Sequence, residues 1–266
     1  MSARTGRRQL SVLRQDLSDR DLAIVEMVAG LRLMSGRQIE ASFFGTSNHE
    51  SPGASARASR RVLNRIVGSR LLVRLERQIG GIRAGSKAYV YGLGPVGHRL
   101  LDLSKPRPRY REPSPLFVNH TLAIADLVVQ ISSAATEEFC ELITWQGEPR
   151  CWRVFTTAGG RSVLRPDLYL AIGVGDFEYR YFIEIDRGTE HLPAIDRKAQ
   201  LYDRYYRSGK EQHKDGMFPT VLFVVPNKER QQSIQGALNS VRGLTIELFA
   251  VCSDENTLGT LLGGER

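Results

Sequence analysis

Apolar residues in the first quarter of the chain recur at helical rather than strand spacing. Leu22, Val25, Val28 and Ala29 fall on one face behind Ser18, a suitable N-cap, with Asp19 and Asp21 in the first turn. A first helix is predicted there. A second, short helix is expected over residues 35–44, closed near Gly45, and a polar loop over 46–53 separates it from a third helix over 54–69. On that third helix, at about 100° per residue, Arg57, Arg60, Arg61, Asn64 and Arg65 lie within an arc of roughly 140°. Ala58, Val62, Leu63, Ile66 and Val67 fill the other side.

The periodicity then changes to two. Residues 71–78 alternate into Gly80-Gly81, and residues 87–91 alternate back out, which is a hairpin signature, with Arg83 and Lys87 among glycines at its tip. Arginines with an asparagine on one helix face are the residue types that grip phosphates and read base edges, although a solvated basic face has the same pattern. A basic, glycine-rich hairpin tip approaches phosphate backbones closely. Three helices followed by a basic hairpin, over about residues 17–103, resemble a winged helix-turn-helix domain. The candidate DNA-binding residues are Arg57, Arg60, Arg61, Asn64, Arg65, Arg83 and Lys87.

The second half reads as a helix over 116–134, strands at 140–145, 152–156, 165–172 and 179–186, a helix over 193–207, a strand at 220–225, a helix over 228–241 and a strand at 245–251. This order predicts a mixed sheet with helices on its faces. Acid gathers at two strand ends. Pro166-Asp167 opens one strand, and Glu184-Ile185-Asp186 closes the next, where period-two alternation puts Glu184 and Asp186 on one face and Ile183 and Ile185 on the other. Asp167, Glu184 and Asp186 brought together offer hard oxygen ligands for Mg²⁺ or Mn²⁺, an ion that activates water and stabilises charge on a phosphate. The other reading is a structural ion network satisfied by Arg165, Arg187 or Arg197. Glu190 either reinforces this site or caps the following helix. His120 on its apolar helix is either core or ligand, and Asp126 is a second candidate acid from that helix. Tyr202, Tyr205 and Tyr206 are expected to pack on the sheet, with base stacking the alternative.

Charge sharpens the division. The 266 residues carry a net +8, but residues 1–115 hold 21 Lys and Arg against 9 Asp and Glu, leaving 16 against 20 in the rest. Such asymmetry points the first half at a polyanion, and with no apolar stretch near the length of a membrane span, DNA is the expected partner and the cytoplasm the expected location. Three cysteines, Cys140, Cys151 and Cys252, form no Cys-x-x-Cys pair and are expected to be small core residues. Four prolines between Ser104 and Pro115 predict a short stiff linker over residues 105–115, giving domains 1–104 and 116–266, with a loosely ordered tail from Ser253. No phosphate-cradling glycine loop with a following Lys-Ser/Thr is present, which argues against ATP use.

Arg165-Pro166-Asp167, a hairpin, then Phe182-Ile183-Glu184-Ile185-Asp186 and a helix resemble the core of the PD-(D/E)XK nuclease superfamily, with Asp186 at the position of the motif lysine. Lys198, in the next helix, matches a lysine that has migrated in some members of that superfamily. More narrowly, the chain resembles the replication-relaxation family of plasmids and integrative elements. The residues that carry this resemblance are Asn119-His120 ahead of Leu122 to Asp126, Arg165-Pro166-Asp167, the run Glu184-Ile-Asp-Arg-Gly-Thr-Glu190, then Lys198 and Tyr202. The resemblance implies an α/β chain with a winged helix followed by a nuclease-like mixed-sheet domain. It also implies a role in replication or mobilisation of a mobile element, DNA and replication proteins as partners, and homodimerisation as an option. As an enzyme the chain would be a Mg²⁺-dependent endonuclease with a degenerate motif, using Asp167, Glu184, Asp186 and Lys198; as a non-enzyme, a DNA-binding replication factor or regulator using the same fold as scaffold.

Overall fold

The computed structural model describes residues 6–45, 52–79, 88–101, 113–137, 139–157 and 159–263. The chain is mixed α/β and divides into two compact units, Met1–Val129 and Gln130–Arg266. Most of the proline-rich linker and the hairpin tip with Arg83 and Lys87 lie outside the described residues.

The first unit holds α1 (Arg7–Asp16), α2 (Asp19–Leu31), β1 (Leu33–Ser35), α3 (Gly36–Phe43), α4 (Pro52–Gly68), β2 (Leu72–Ile79), β3 (Ala88–Leu93), α5 (Pro95–Leu100) and the first turns of α6 (Pro115–Thr136). Ser18 caps α2: its Oγ accepts from the Asp21 N–H at 3.2 Å, and Asp21 Oδ2 accepts from the Ser18 N–H at 3.0 Å. Ser35 and Gln38 repeat that reciprocal cap on α3 at 3.2 and 2.7 Å. The three strands pair antiparallel in the order β1-β3-β2. Ile24, Val25, Val28, Ile39, Leu63, Ile66, Leu72 and Val90 are buried between helices and sheet.

The second unit holds the rest of α6, then β4 (Glu141–Gly147), β5 (Arg153–Thr157), β6 (Gly160–Leu164), β7 (Leu168–Val174), β8 (Phe177–Ile185), α7 (Leu192–Arg207), α8 (Lys210–Asp215), β9 (Thr220–Val225), α9 (Lys228–Ser240), β10 (Phe249–Ser253) and α10 (Thr257–Leu261). The five-stranded sheet runs β10-β9-β8-β7-β4, antiparallel from β4 through β8 and parallel from β8 to β10, and β5 and β6 form a separate hairpin. The unbroken apolar run of β9, Val221 to Val225, is buried throughout, as a central parallel strand covered on both faces must be.

Three expectations are corrected here. The strand expected over 165–172 begins only at Leu168, as β7, because Pro166 has no N–H for a ladder, and β6, which ends at Leu164, had no counterpart among the expected strands. The tail is ordered through α10, anchored by the fully buried Leu261. Finally, the 22-residue α6 is long and apolar enough to cross a membrane by length and composition. Its Val118, Leu122, Ala125, Leu127, Val128, Ile131 and Ala134 are buried within the fold, which accounts for that composition as core packing.

Candidate functional site

Helix α4 separates its faces, with a narrower core stripe than expected, since Ala58, Val62 and Val67 are half-buried. Ser55, Ser59, Leu63 and Ile66 are buried, whereas Arg57, Arg60, Arg61, Asn64 and Arg65 are exposed. The five polar residues are not equivalent. The Arg65 guanidinium donates to both carboxylate oxygens of Asp21, each at 2.8 Å, and Asp21 is only 1% exposed. Burial pushes the Asp21 carboxyl up, but hydrogen bonds from Arg65 and Ser18 outweigh it and hold the group below its ordinary value. Arg65 therefore fastens α4 to α2. Among the described residues Arg57, Arg60 and Arg61 meet no carboxylate; Arg60 Nε donates to its own helix at the Ala56 carbonyl, 3.0 Å away. The exposed Arg74 on β2 adds a cation that sequence periodicity did not single out, lying 4.2 Å over the Tyr89 ring of β3.

The acids of the second unit meet at the ends of β7, β8, α7 and α9. Asp167, just ahead of β7, accepts the Ile185 N–H through Oδ2 at 2.8 Å. Glu184 lies on the same sheet face as Phe182 and is 2% exposed. One turn of α7 separates Lys198 from Tyr202, so both reach β8: Lys198 Nζ donates to Glu184 Oε2 at 2.8 Å and the Tyr202 hydroxyl to Oε1 at 2.5 Å. Lys198 also donates to Glu190 Oε1 at 3.1 Å, which makes Glu190 part of the cluster; the N-cap of α7 is His191.

Burial drives the Glu184 carboxyl up to about 7, opposed by the Lys198 cation and reinforced by the negative charge of Asp167. Burial alone would lower Lys198, but the charges of Glu184, Asp167 and Glu190 outweigh it and keep the amine protonated well above its ordinary range. Tyr202 is raised by burial and by the carboxylate it serves, so its hydroxyl stays a donor.

Asp186 faces elsewhere. Its Oδ2 accepts from Arg230 Nε of α9 at 2.5 Å and its Oδ1 from the Gly188 N–H at 2.9 Å, while Arg230 also donates to the Glu190 carbonyl at 2.5 Å. Arg230 thus pins both ends of the loop between β8 and α7, whose Gly188 takes a φ of 77°. The structure brings together Asp167, Glu184 and Lys198, with Tyr202 and Glu190 added, and turns Asp186 to a cation that no local spacing announced. Among the described residues no three His, Cys, Asp or Glu side chains are placed to hold a metal ion. Glu184 and Asp186 each have both oxygens engaged, by Lys198 and Tyr202 and by Arg230 and the Gly188 N–H, so a Mg²⁺ ion bound through one or two carboxylates and water fits Asp167 and Glu184 only if it shares the Glu184 oxygens with those donors; Asp186 is turned away from this pair.

The remaining expected residues are structural neighbours. Asp126 accepts from Gln38 Nε2 at 2.6 Å inside the first unit, and His120 is half-buried on α6. Tyr205 is buried, donates to Glu211 and packs on Phe155, Phe182 and Phe218, and Tyr206 packs edge-on against Phe218 at 5.3 Å. Glu211 in turn is held by Arg153 Nε, 3.2 Å from each oxygen. Cys151 and Cys252 are buried and Cys140 half-buried, all as free thiols.

Among known proteins, no curated protein and no solved structure matches this chain. The family model described as replication-relaxation matches residues 25–221, well over half of the sequence and spanning both α4 and the Asp167–Glu184–Lys198 cluster. The chain belongs to the replication-relaxation family, which ties its role to replication or relaxation of plasmid or mobile-element DNA.

Proposed function

We propose that this is a DNA-binding protein of a plasmid or integrative element, acting in its replication or mobilisation, with α4 as the recognition helix of a winged-helix unit. The observation that carries the reading is the row of exposed Arg57, Arg60 and Arg61, which meet no carboxylate among the described residues, on a helix whose other face is buried. Such a row neutralises phosphates and releases counterions, while Asn64 offers both donor and acceptor to a base edge. Arg65 holds the helix in orientation. The test is the salt dependence of DNA binding. Arg57→Ala and Arg61→Ala each weaken binding and lower the log–log salt slope by about one. Arg65→Ala leaves the slope nearly unchanged and instead costs about 1–2 kcal/mol of stability, because it strands the buried Asp21. Equal slopes for wild type and the Arg57→Ala, Arg61→Ala variant remove α4 from the interface.

A second reading, a metal-dependent nuclease, is favoured by one distance: Lys198 Nζ stands 2.8 Å from Glu184, beside Asp167. Asp167 and Glu184 would hold the Mg²⁺ or Mn²⁺, and the ion would supply an activated water and a counter-charge for the phosphate. Lys198 would hold its proton beside the developing charge, and Tyr202 would fix the Glu184 carboxylate. Supercoiled and single-stranded DNA incubated with either metal decide this reading. Nicking by the wild type and not by an Asp167→Asn, Glu184→Gln variant that still binds DNA establishes the nuclease; tight binding without cleavage by both leaves a non-catalytic replication factor.

A further inference from the structure

Arg165 sits two residues before Asp167, where it would be expected to neutralise the acids. Instead it is exposed, and among the described residues it pairs with no carboxylate; its guanidinium carbon lies 4.9 Å from the centre of the Trp152 ring. The indole is itself held, since Trp152 Nε1 donates to Glu148 Oε1 at 3.3 Å. Arg150 projects from the turn between β4 and β5, which closes through hydrogen bonds from the Arg150 N–H to the Gly147 carbonyl, 2.9 Å, and from the Trp152 N–H to the Pro149 carbonyl, 3.2 Å. It too is exposed and without a carboxylate among the described residues. Cys151 Sγ donates to the Pro166 carbonyl at 2.9 Å, which ties this turn to the segment carrying Arg165 and Asp167. Of the nearby acids, Glu184 has its cation in Lys198 and Asp186 in Arg230. Two arginines with no carboxylate partner among the described residues therefore stand beside an acidic site, in a half of the chain that has fewer basic than acidic residues.

We propose that Arg150, Trp152 and Arg165 form a phosphate-gripping lip that seats a nucleic-acid strand beside Asp167 and Glu184. This rests on the DNA-binding reading above and adds a second point of contact to it. A guanidinium lying on an indole has its plane fixed while its N–H edge stays open, the arrangement suited to bidentate contact with phosphate oxygens. The partner recognised is the phosphodiester backbone, and the separate use of single strand and duplex in the test distinguishes its source.

The test uses the full chain and two labelled probes, a mixed-sequence single-stranded oligonucleotide and its duplex, with anisotropy titrations between about 50 and 200 mM salt. An Arg150→Ala, Arg165→Ala variant is expected to bind at least one probe about tenfold more weakly at low salt. Its log–log salt slope should fall by about two contacts, roughly 0.9 each on duplex or 0.7 each on single strand. Trp152→Leu keeps both charges and is expected to weaken binding with little change in slope. Unchanged melting temperature of the double variant shows that the loss is not unfolding, since both side chains are exposed. If the wild type binds and the double variant matches it in affinity and slope on both probes, the lip is refuted and the α4 reading stands. If the wild type binds neither probe, both fall.

Discussion

Replacing Lys198 by methionine is expected to lower the stability of the second unit by about 3 kcal/mol at pH 8, the scale of a buried carboxylate stripped of its cation, and by much less at pH 5. Glu184 is 2% exposed and keeps only the Tyr202 hydroxyl once the amine is gone. Its carboxyl already stands near 7 in the folded wild type because burial disfavours the charge. A carboxyl raised on folding contributes its stability fully below its unfolded value of about 4.5 and loses it as the pH climbs through the folded value. In the wild type that loss falls between about 4.5 and 7; without Lys198 the folded value moves further up and the loss extends past 7. The Lys198 amine is raised above its ordinary range, so its own contribution is constant across this window. Urea melts from pH 5 to pH 8.5 on Lys198→Met, Glu184→Gln and the double variant check the argument. The double variant should recover most of the loss at pH 8, since it buries a neutral amide in place of a lone carboxylate; no recovery would mean that Lys198 stabilises through packing rather than charge.

Legibility of this chain followed the range of the interaction that fixes each feature. α4 was readable to within two residues at its ends because its apolar and cationic positions repeat over 17 residues, and the caps at Ser18 and Ser35 because their partners are three residues away. The mixed sheet followed from apolar runs, and the neighbourhood of Asp167 and Glu184 from strand ends. What the pattern hid has distant or weakly periodic causes. α1 is rich in arginine and glutamine, and β1 is three residues added to β3 by tertiary pairing. The expected strand starts at Arg165, where the missing proline N–H delays the ladder to Leu168, and the short β6 has no expected counterpart. Arg65 reads as one more cation on α4, and nothing local reveals that Asp21, 44 positions earlier, claims it. The same separation hides Arg230 from Asp186. The acids were found from sequence; their allocation to particular cations was not.

That allocation makes Asp186 and Asp167 experimentally distinct. Arg230→Ala is expected to cost about 3–4 kcal/mol, because it leaves the nearly buried Asp186 with a single backbone donor and frees the Glu190 carbonyl at the other end of the loop. Asp186→Asn should cost less: the amide oxygen still accepts from Gly188 or Arg230, and Arg230, 17% exposed, retains the Glu190 carbonyl and some water. The functional consequence is sharper than the energetic one. With both Asp186 oxygens engaged away from Glu184, Asp186→Asn is expected to leave DNA binding and any Mg²⁺ affinity within about twofold of wild type, whereas Asp167→Asn removes one of the two carboxylates proposed to hold the ion. Isothermal titration of Mg²⁺ into both variants, alongside their urea melts, separates the roles. Loss of metal affinity in Asp186→Asn with its fold intact would return Asp186 to the ligand set and require Arg230 to release it when the ion binds.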